Sequence, residues 1–401
     1  MSERIVITGA GIVSAIGNNK QQCLESLKMG ASGIGEVRFL DTEHHEFPVG
    51  EVKMSNLEMC NLLGISNKQV HSRTTLMGII AVKEALTQAR ADSLYCPLTL
   101  ISGTTVGGMD VTERYLSKSQ DMTQEECVSC ITTHTCGAST NAIAAYFGNT
   151  FNSTLTPSTA CSSALNAITL GCDLIKAGLA QVVVAGGSEC LSLFHLNGFK
   201  SLMILDTEPC KPFDNNRKGL NLGEGAAFVV LESEQHAAER GANVMATIAG
   251  YGNACDAFHQ TASSPDGEGA FLAMSKALGD AQLAANDIDY INAHGTGTPN
   301  NDQSESAAIH RLFGDDMPPV SSTKSFTGHT TSASGAIETV ISLLVLQEQF
   351  LPANLNWESS IEDDGIVPVR KATSASLHNV MCNSFGFGGN DSSLILSKYS
   401  E

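Results

Sequence analysis

Cys161 is the side chain of this sequence best suited to act as a nucleophile. It lies in TPSTACSSALNAI (156–168), a stretch of small, mostly uncharged residues that leads into a helical apolar pattern. A buried structural thiol would suit these surroundings. A nucleophile on a turn at a helix N-terminus would suit them equally, because the helix dipole and free N–H groups favour the thiolate there.

His294 is the first histidine that could serve such a nucleophile. It ends an apolar strand-like segment and opens the loop NAHGTGTPNND (292–302), in which Thr296 and Thr298 alternate with glycines. A histidine in a polar glycine loop is poorly explained as filling of the core. The loop is therefore a candidate functional site.

His329 belongs to a second loop of small residues, STKSFTGHTTSASGAIE (322–338), which also contains Lys324 and Glu338. One such loop could be structural. Two loops together with Cys161 make a constellation of one cysteine and two histidines, which suggests acyl transfer through a thioester.

A different chemistry is suggested by CVSCITTHTC (127–136), which contains Cys127, Cys130, His134 and Cys136. A structural zinc site usually takes its two ligand pairs from separated segments, whereas these four residues crowd into one. We therefore expect no metal site here.

The elements that must position these residues follow an α/β pattern. Buried strands alternate with helical patterns at 74–91 and 162–178, and a similar plan follows in the second half of the chain. The segments around Cys161 and His329 share one order: strand end, small polar loop, apolar helix. We predict two similar halves, 1–240 with the cysteine and 241–401 with both histidines, whose loops meet at one central site.

Composition excludes several classes of function. Asp and Glu outnumber Lys and Arg by 42 to 23, and the formal charge is −19. Because no basic run is present, we expect no nucleic-acid partner. No apolar run reaches the length of a membrane span, and no signal peptide is recognisable, so we expect a soluble, cytoplasmic protein.

Four motifs, in order along the whole chain, resemble the β-ketoacyl-acyl-carrier-protein synthases, which are condensing enzymes of the thiolase superfamily. They are TACSSA for the nucleophile, AHGTGTPNND for the first histidine, STKSFTGHTTSASGAIE for the lysine and second histidine, and NSFGFGGND for a glycine motif. The resemblance is to the elongating types I and II. It implies a thiolase-like five-layered αβαβα fold of two duplicated halves, and a homodimer or a heterodimer with a related subunit.

The resemblance also implies a reaction. Cys161 would take an acyl chain from acyl carrier protein, malonyl-carrier protein would lose CO2, and the resulting enolate would attack the Cys161 thioester. Neutral His294 and His329 would donate hydrogen bonds to the enolate, and the N–H groups of Cys161 and Phe387 would form the oxyanion hole. No cofactor is implied, because phosphopantetheine arrives on the carrier protein.

Other positions match supporting residues of the family. They are Lys324 and Glu338 as a buried charge pair, Thr296 and Thr298 for the pantetheine arm, Phe387 and Gly388 for a loop that opens to admit the acyl chain, and Val106 and Ile131 for the acyl tunnel.

Three stretches depart from the family pattern. The glycine motif ends in Asn390 and Asp391 where the family usually has Thr and Asn, GTPNND varies the usual loop, and TGHTTSASGA is unusually polar. These departures favour a specialised type II polyketide or polyene pathway over housekeeping fatty-acid elongation.

Two alternative functions stay open. A noncatalytic chain-length-factor subunit shares the fold, but such subunits usually lack the cysteine. A degradative thiolase needs a second catalytic cysteine, for which Cys382 is the candidate, although the two histidine motifs oppose it.

An acidic carrier protein would need a local basic patch on this acidic chain. The candidates are Lys68, Arg73, Lys118, Lys200 and Lys211.

Overall fold

A computed structural model describes residues 3–66, 71–90, 96–116, 123–361 and 365–400, without the side chains of 124–127 and 129. The strands are β1 Ile5–Ser14, β2 Leu98–Gly103, β3 Phe151–Leu155, β4 Val182–Glu189, β5 Gly225–Ser233, β6 Ala246–Cys255, β7 Tyr290–Asn292, β8 Val320–Ser321, β9 Phe350–Leu351, β10 Thr373–Ser374, β11 Asn379–Gly386 and β12 Asn390–Ser397. The helices are α1 Lys20–Met29, α2 Asn56–Leu63, α3 Arg73–Gln88, α4 Met109–Leu116, α5 Gln124–His134, α6 Cys136–Tyr146, α7 Ser163–Lys176, α8 Leu193–Ser201, α9 Glu234–Glu239, α10 Glu268–Ala281, α11 Pro299–Phe313, α12 Lys324–Thr327 and α13 Ser334–Glu348.

The same strand order occurs twice in the main sheet. The strand order is β3-β2-β4-β5-β1-β6-β12-β11-β7-β8. When the strands of this sheet are counted along the chain within each half, both halves read third, second, fourth, fifth and first from the outer edge to the centre. In both halves the second strand pairs in parallel with the third and fourth, and the fifth pairs antiparallel with the fourth and first. The halves join where Ile5–Ile7 of β1 pairs with Ala246–Ile248 of β6.

Three apolar clusters separate five layers. The first fills the centre, where α7 and α13 pack between the two half-sheets, and contains Ile168, Val229 and Ile341. A second lies between α3 and the outer face of the first half-sheet, and a third lies under α10 and α11 on the second. The predicted five-layered αβαβα architecture is confirmed.

A close contact between the two central helices brings the halves together. A Cβ on Gly335 of α13 would lie 2.7 Å from the Cβ of Leu165 on α7, so only glycine allows this approach. The turn before α7 carries Cys161, the turn before α13 carries His329, and the loop after β7 carries His294. Three loops that are distant in sequence therefore meet at one end of the helix pair.

In the described part of the chain, no helix combines the length and the apolar character needed to cross a membrane. The predicted helices at 74–91 and 162–178 correspond to α3 and α7.

Candidate active site

Cys161 lies on a strained turn directly before Ser162, the N-cap of α7. The preceding residue, Ala160, has φ of +53°, a left-handed conformation that is costly for a residue with a Cβ. Ser384 Oγ donates to the Cys161 carbonyl at 3.0 Å and fixes the turn to β11. Strain that the surrounding structure maintains in this way is typical of a functional position rather than of a filler cysteine.

His329 is the immediate neighbour of the sulfur. Its Nε2 lies 3.1 Å from Cys161 Sγ, and both side chains are buried. The backbone N–H of His329 donates to the Asn221 carbonyl at 2.7 Å, which holds the loop in place. At this distance the imidazole can exchange a proton with the thiol.

His294 lies against His329, with the two ring centroids 5.2 Å apart. Its Nδ1 lies 3.2 Å from Lys324 Nζ. Because an ammonium group can only donate, Nδ1 accepts this bond and the ring proton belongs on Nε2. His294 is thereby set as a hydrogen-bond donor.

Lys324 is a fully buried cation that acts on the whole cluster. Its Nζ is ion-paired with Glu338 Oε1, and only 1% and 2% of the two side chains are exposed. Burial lowers the pKa values of His294 and His329 well below the ordinary histidine range, and the Lys324 charge lowers them further. Both imidazoles are therefore neutral at physiological pH.

The thiol of Cys161 differs from the sequence-based expectation of a favoured thiolate. Burial raises its pKa to about 11, although Lys324 and the Phe387 N–H, which donates to the sulfur, oppose the rise. Desolvation outweighs the helix terminus because the sulfur is almost completely removed from water. The resting pair is thus a neutral thiol beside a neutral imidazole.

Two acids that the sequence analysis missed brace the His294 loop. Glu305 accepts the N–H groups of His294 and Gly295 at 2.8 and 2.7 Å. Asp302 accepts the N–H of Gly297 at 3.2 Å. They lie three residues apart on α11, and this i, i+3 spacing directly after the histidine loop is the signal that could have identified them. Burial raises the pKa of Glu305 to about 7.

The three reactive side chains open into one cavity of about 300 Å³. Four further predicted residues line it: Thr296, Thr298, Phe387 and Gly388. The hydroxyls of Thr296 and Thr298 contact each other at 2.8 Å. The lining combines aromatic and aliphatic side chains with hydroxyl and amide groups, which suits an extended amide chain that ends in a thioester.

Phe387 lies at the tip of the hairpin between β11 and β12. Its ring stacks on Phe199 of α8, with centroids 5.8 Å apart. Gly388 and Gly389 have φ of +84° and +78°, which only glycine adopts readily. Asn390 fixes the base of the hairpin, because its Oδ1 accepts from Ser162 Oγ at 2.7 Å.

Val106 and Ile131 are not brought to this cavity. Val106 is buried and its N–H donates to Glu189 at 2.9 Å, whereas Ile131 is 69% exposed on α5. An exposed side chain cannot line an internal tunnel of its own subunit. Their assignment to an acyl tunnel stays a prediction.

Arg73 was wrongly predicted to bind a carrier protein. Its guanidinium is buried and ion-paired with Glu224 at 2.6 Å, so it stabilises the core. Lys68 and Lys118 lie outside the described residues. Lys200 is exposed on α8, and Lys218, which the sequence analysis did not select, is exposed and lines the cavity.

Cys382 does not provide a second reactive thiol. It is buried within β11 and is not among the residues that line the cavity, and burial strongly raises its pKa. Within the described ranges, no three His, Cys, Asp or Glu side chains are arranged to hold a metal ion.

Comparison with protein families and curated proteins agrees with the geometry. Residues 2–237 match the beta-ketoacyl synthase N-terminal domain, and residues 245–358 match the C-terminal domain. The chain is 33% identical to 3-oxoacyl-[acyl-carrier-protein] synthase 2 of Staphylococcus aureus, with 99% of both chains covered. It is 34% identical to nodulation protein E of Rhizobium meliloti over 98% of this chain and 99% of that one.

Solved structures show the same architecture over the full length. The ishigamide ketosynthase/chain length factor has a TM-score of 0.89 at 29% identity, with 100% of both chains covered. A ketosynthase in complex with its chain length factor from Xenorhabdus doucetiae has a TM-score of 0.85 at 31% identity, with 99% of this chain and 98% of that one covered. With its buried cysteine and paired histidines, the chain belongs to the β-ketoacyl synthase family of the thiolase superfamily.

Proposed function

We propose that this protein condenses an acyl group held on Cys161 with a malonyl unit carried by acyl carrier protein, and releases a 3-oxoacyl-carrier protein. The observation that carries the proposal is the convergence of Cys161, His329 and His294, with Sγ and Nε2 only 3.1 Å apart, at the floor of one cavity. The product would enter fatty-acid synthesis or a type II polyketide or polyene pathway.

The first step is acylation. Cys161 Sγ forms a bond to the acyl carbonyl carbon while the bond from that carbon to the pantetheine sulfur breaks. Because the thiol is protonated at rest, His329 Nε2 accepts its proton during attack and returns it to the departing pantetheine thiolate. The N–H of Phe387, which donates to the sulfur in the resting site, is available for the carbonyl oxygen.

The second step is decarboxylation of the malonyl thioester. Its carboxyl carbon leaves as CO2, and the electron pair of that bond becomes an enolate whose oxygen is negative. Nε2–H of His294 donates to this oxygen because Lys324 occupies Nδ1. His329 no longer faces a thiol proton once Cys161 is acylated, so its neutral ring donates to the same oxygen from Nε2–H. A neutral donor suits this role, since an imidazolium would release its proton to the enolate and quench the carbon nucleophile.

Condensation completes the cycle. The enolate carbon attacks the acyl carbonyl carbon, the bond to Cys161 Sγ breaks, and the thiolate takes up one proton from solvent through His329. These steps need no resident cofactor, because the pantetheine arm arrives with the carrier protein. They need no metal ion, because the histidines stabilise the enolate.

Two alternatives fit the site less well. A noncatalytic chain-length factor would not need a strained cysteine beside a histidine. A thiolase would need a second reactive cysteine, and Cys382 is buried and does not line the cavity.

The discriminating experiment incubates the protein with labelled acyl-carrier protein and measures the mass of the peptide that contains Cys161. Transfer from carrier protein supports the proposal, whereas transfer only from acyl-coenzyme A would indicate a thiolase and no transfer a partner subunit. Carrier substrates of varied chain length in the same assay distinguish fatty-acid from specialised pathways.

We further propose that the protein works in the cytoplasm as a dimer, with a second copy or with a related subunit. Strand β3 is the outer edge of the sheet, and four apolar side chains near it or on the neighbouring helices are 37–69% exposed: Leu116, Val128, Ile131 and Leu155. Across such an interface Ile131 could reach the tunnel of a partner. Light scattering of the protein alone, which should give twice the mass of the chain for a homodimer, tests this.

Carrier docking is assigned to the mouth of the cavity rather than to Arg73. Lys218 lines the cavity, and Lys200 is exposed on the helix that carries Phe199. We expect Lys218→Glu to raise KM for the carrier severalfold with little change in kcat. An unchanged KM would remove Lys218 from the docking surface.

A further inference from the structure

The base of the hairpin that carries Phe387 contains two carboxyl groups that the mechanism does not use. Asp391 is the second residue of β12, directly after the hairpin loop, and is 4% exposed. Asp256 follows β6, and its backbone N–H donates to the Gly389 carbonyl at 2.8 Å. Both residues are thus attached to the glycine loop 386–389.

The two side chains converge over Gly269, in the first turn of α10. A Cβ built on Gly269 would lie 2.1 Å from Asp391 Oδ2 and 2.7 Å from Asp256 Cβ, so the absence of a side chain there makes room for both acids. Asp256 Oδ2 accepts the Ser264 N–H at 2.7 Å. Its Oδ1 is buried and has no hydrogen-bond partner among the described residues.

Two ionised carboxylates are unfavourable in these surroundings. Glu305 of α11 lies close enough that its ionised form adds to the repulsion on Asp391, and Glu268 of α10 is already ion-paired with Arg311 at 2.8 Å. Lys276 of α10 donates to the Asn253 carbonyl instead. Among the described residues, no lysine or arginine is therefore ion-paired with Asp391 or Asp256.

We infer that Asp391 and Asp256 share one proton, and that this shared proton positions the loop that presents the Phe387 N–H to Cys161. A protonated Asp391 can donate to the unpartnered Oδ1 of Asp256. The Gly386 N–H also donates toward the Asp391 carboxyl, which connects the pair to the residue beside Phe387. Both acids are positioning residues, because they act through the loop.

The pair becomes sensitive to pH in the alkaline range. Burial raises the pKa of Asp391 to about 8, and the charges of Asp256 and Glu305 contribute to the rise. Above this pH Asp391 is ionised, its repulsion from the Asp256 carboxyl acts beneath Gly389, and the loop loses its fixed position. An asparagine at 391 cannot ionise and would keep the loop insensitive to pH.

The test measures the rate at which iodoacetamide alkylates Cys161 in the full chain from pH 6 to 9.5. The ratio of the wild-type rate to the Asp391→Asn rate cancels the titration of Cys161 itself. We expect this ratio to be constant below about pH 7 and to rise severalfold across pH 8, as the wild-type loop loosens. A ratio that is constant over the whole range overturns the inference.

Unfolding provides a second, independent measurement. Between the ordinary aspartate pKa and 8, the folded wild type holds a proton that the unfolded chain releases, so its stability falls as pH rises. The unfolding midpoint of Asp391→Asn should therefore exceed that of the wild type by an amount that grows to pH 8 and then levels off. A difference that is independent of pH contradicts a shared proton.

Two further variants complete the test. Asp256→Asn removes the charge that faces Asp391. The rise in alkylation rate near pH 8 should therefore occur at lower pH in this variant than in the wild type. An unchanged pH for this rise excludes Asp256 as the partner. Asp266→Asn is the matched control, because Asp266 is a 67% exposed acid in the segment between β6 and α10 that also contains Asp256. Its alkylation profile should overlay the wild type. None of these measurements uses carrier protein, so they stand apart from the proposed condensation.

Discussion

The turn that enters α7 in the first half and the turn that enters α13 in the second half occupy equivalent places in the two repeats. The first presents Cys161 and the second presents His329, and the two meet at 3.1 Å. Both positions follow the third strand of their half-sheet. The duplication thus brings two equivalent turns face to face, and a different residue on each makes a reactive pair from them.

The loops that follow β2 and β7 extend the comparison. Glu189 accepts the N–H groups of Thr105 and Val106 at 2.7 and 2.9 Å, much as Glu305 accepts those of His294 and Gly295. Burial raises the pKa of each acid to about 7. Bracing of a loop by a buried acid is therefore common to both halves, whereas only the second loop carries an imidazole.

The largest expected effect comes from removing the thiol in the first half. Cys161→Ala should lower condensation by roughly 10⁴-fold or more, because no other cysteine lines the cavity as described. Cys161→Gln should also fail to condense but should still release CO2 from malonyl-carrier protein, since the second half performs that step. Cys96→Ala is the control, with unchanged rates. Condensation by Cys161→Ala at more than a hundredth of the wild-type rate would contradict the assignment.

Removing a histidine from the second half should have the next largest effect. His329→Ala and His294→Ala should each slow CO2 release by roughly 10²- to 10³-fold, the usual loss for one donor to an oxyanion. Release of labelled CO2 measures this step, and the exposed His378→Ala serves as control. A normal rate in either variant would mean that one imidazole alone stabilises the enolate.

Removing the buried cation separates stability from catalysis. Lys324→Met leaves Glu338 uncompensated, which should cost about 3–5 kcal/mol in urea unfolding. The double variant Lys324→Met with Glu338→Leu should recover most of this loss. Both variants should slow CO2 release roughly 10²-fold, because His294 Nδ1 loses the donor that sets its tautomer. Full activity in the double variant would show that the charge pair only maintains the fold.

The smallest expected effect comes from replacing the two buried acids that brace the loops, Glu305 and Glu189. Glu305→Gln should slow CO2 release by roughly tenfold through a misplaced His294, whereas Glu189→Gln should leave this step almost unchanged. Their effects on stability should be alike. Each folded acid keeps its proton up to about pH 7 while the unfolded chain loses it near pH 4.5, so wild-type stability falls over this interval.

Thermal unfolding at pH 4.5, 6 and 7.5 measures the second part of that prediction. The unfolding midpoint of each glutamine variant, relative to the wild type, should rise with pH up to about pH 7 and then stay constant. Equal slowing of CO2 release by both variants would refute a special role for the acid that braces His294.

Much of the fold and site could be read from local patterns. The alternation of buried strands with helical patterns predicted an α/β fold, and the small-residue loops predicted Cys161, His294, His329 and Lys324 as neighbours. Helix α11 was missed, because PNNDQSESAAIHRLF is too polar to show an apolar face. Asp302 and Glu305 were missed together with this helix. They are buried because they accept N–H groups of the loop that carries His294.

The partners of charged side chains were the feature that sequence patterns predicted least well. Arg73 reads as a surface cation, yet Glu224, which is 151 residues away, pairs with it in the core. Asp391 reads as a variation in a glycine motif, yet it faces Asp256. Partners so distant in the chain leave no local pattern.

The sequence by itself determined the family and selected the candidate nucleophile and histidines, because a thioester chemistry needs particular residue types on short glycine-rich turns. Only the tertiary structure decided their protonation. The resting thiol of Cys161, the neutral imidazoles and the raised pKa of Asp391 all depend on how completely each group is removed from water and which charge lies beside it. Desolvation and Coulomb interactions are set by distances through space, which the order of residues along the chain does not record.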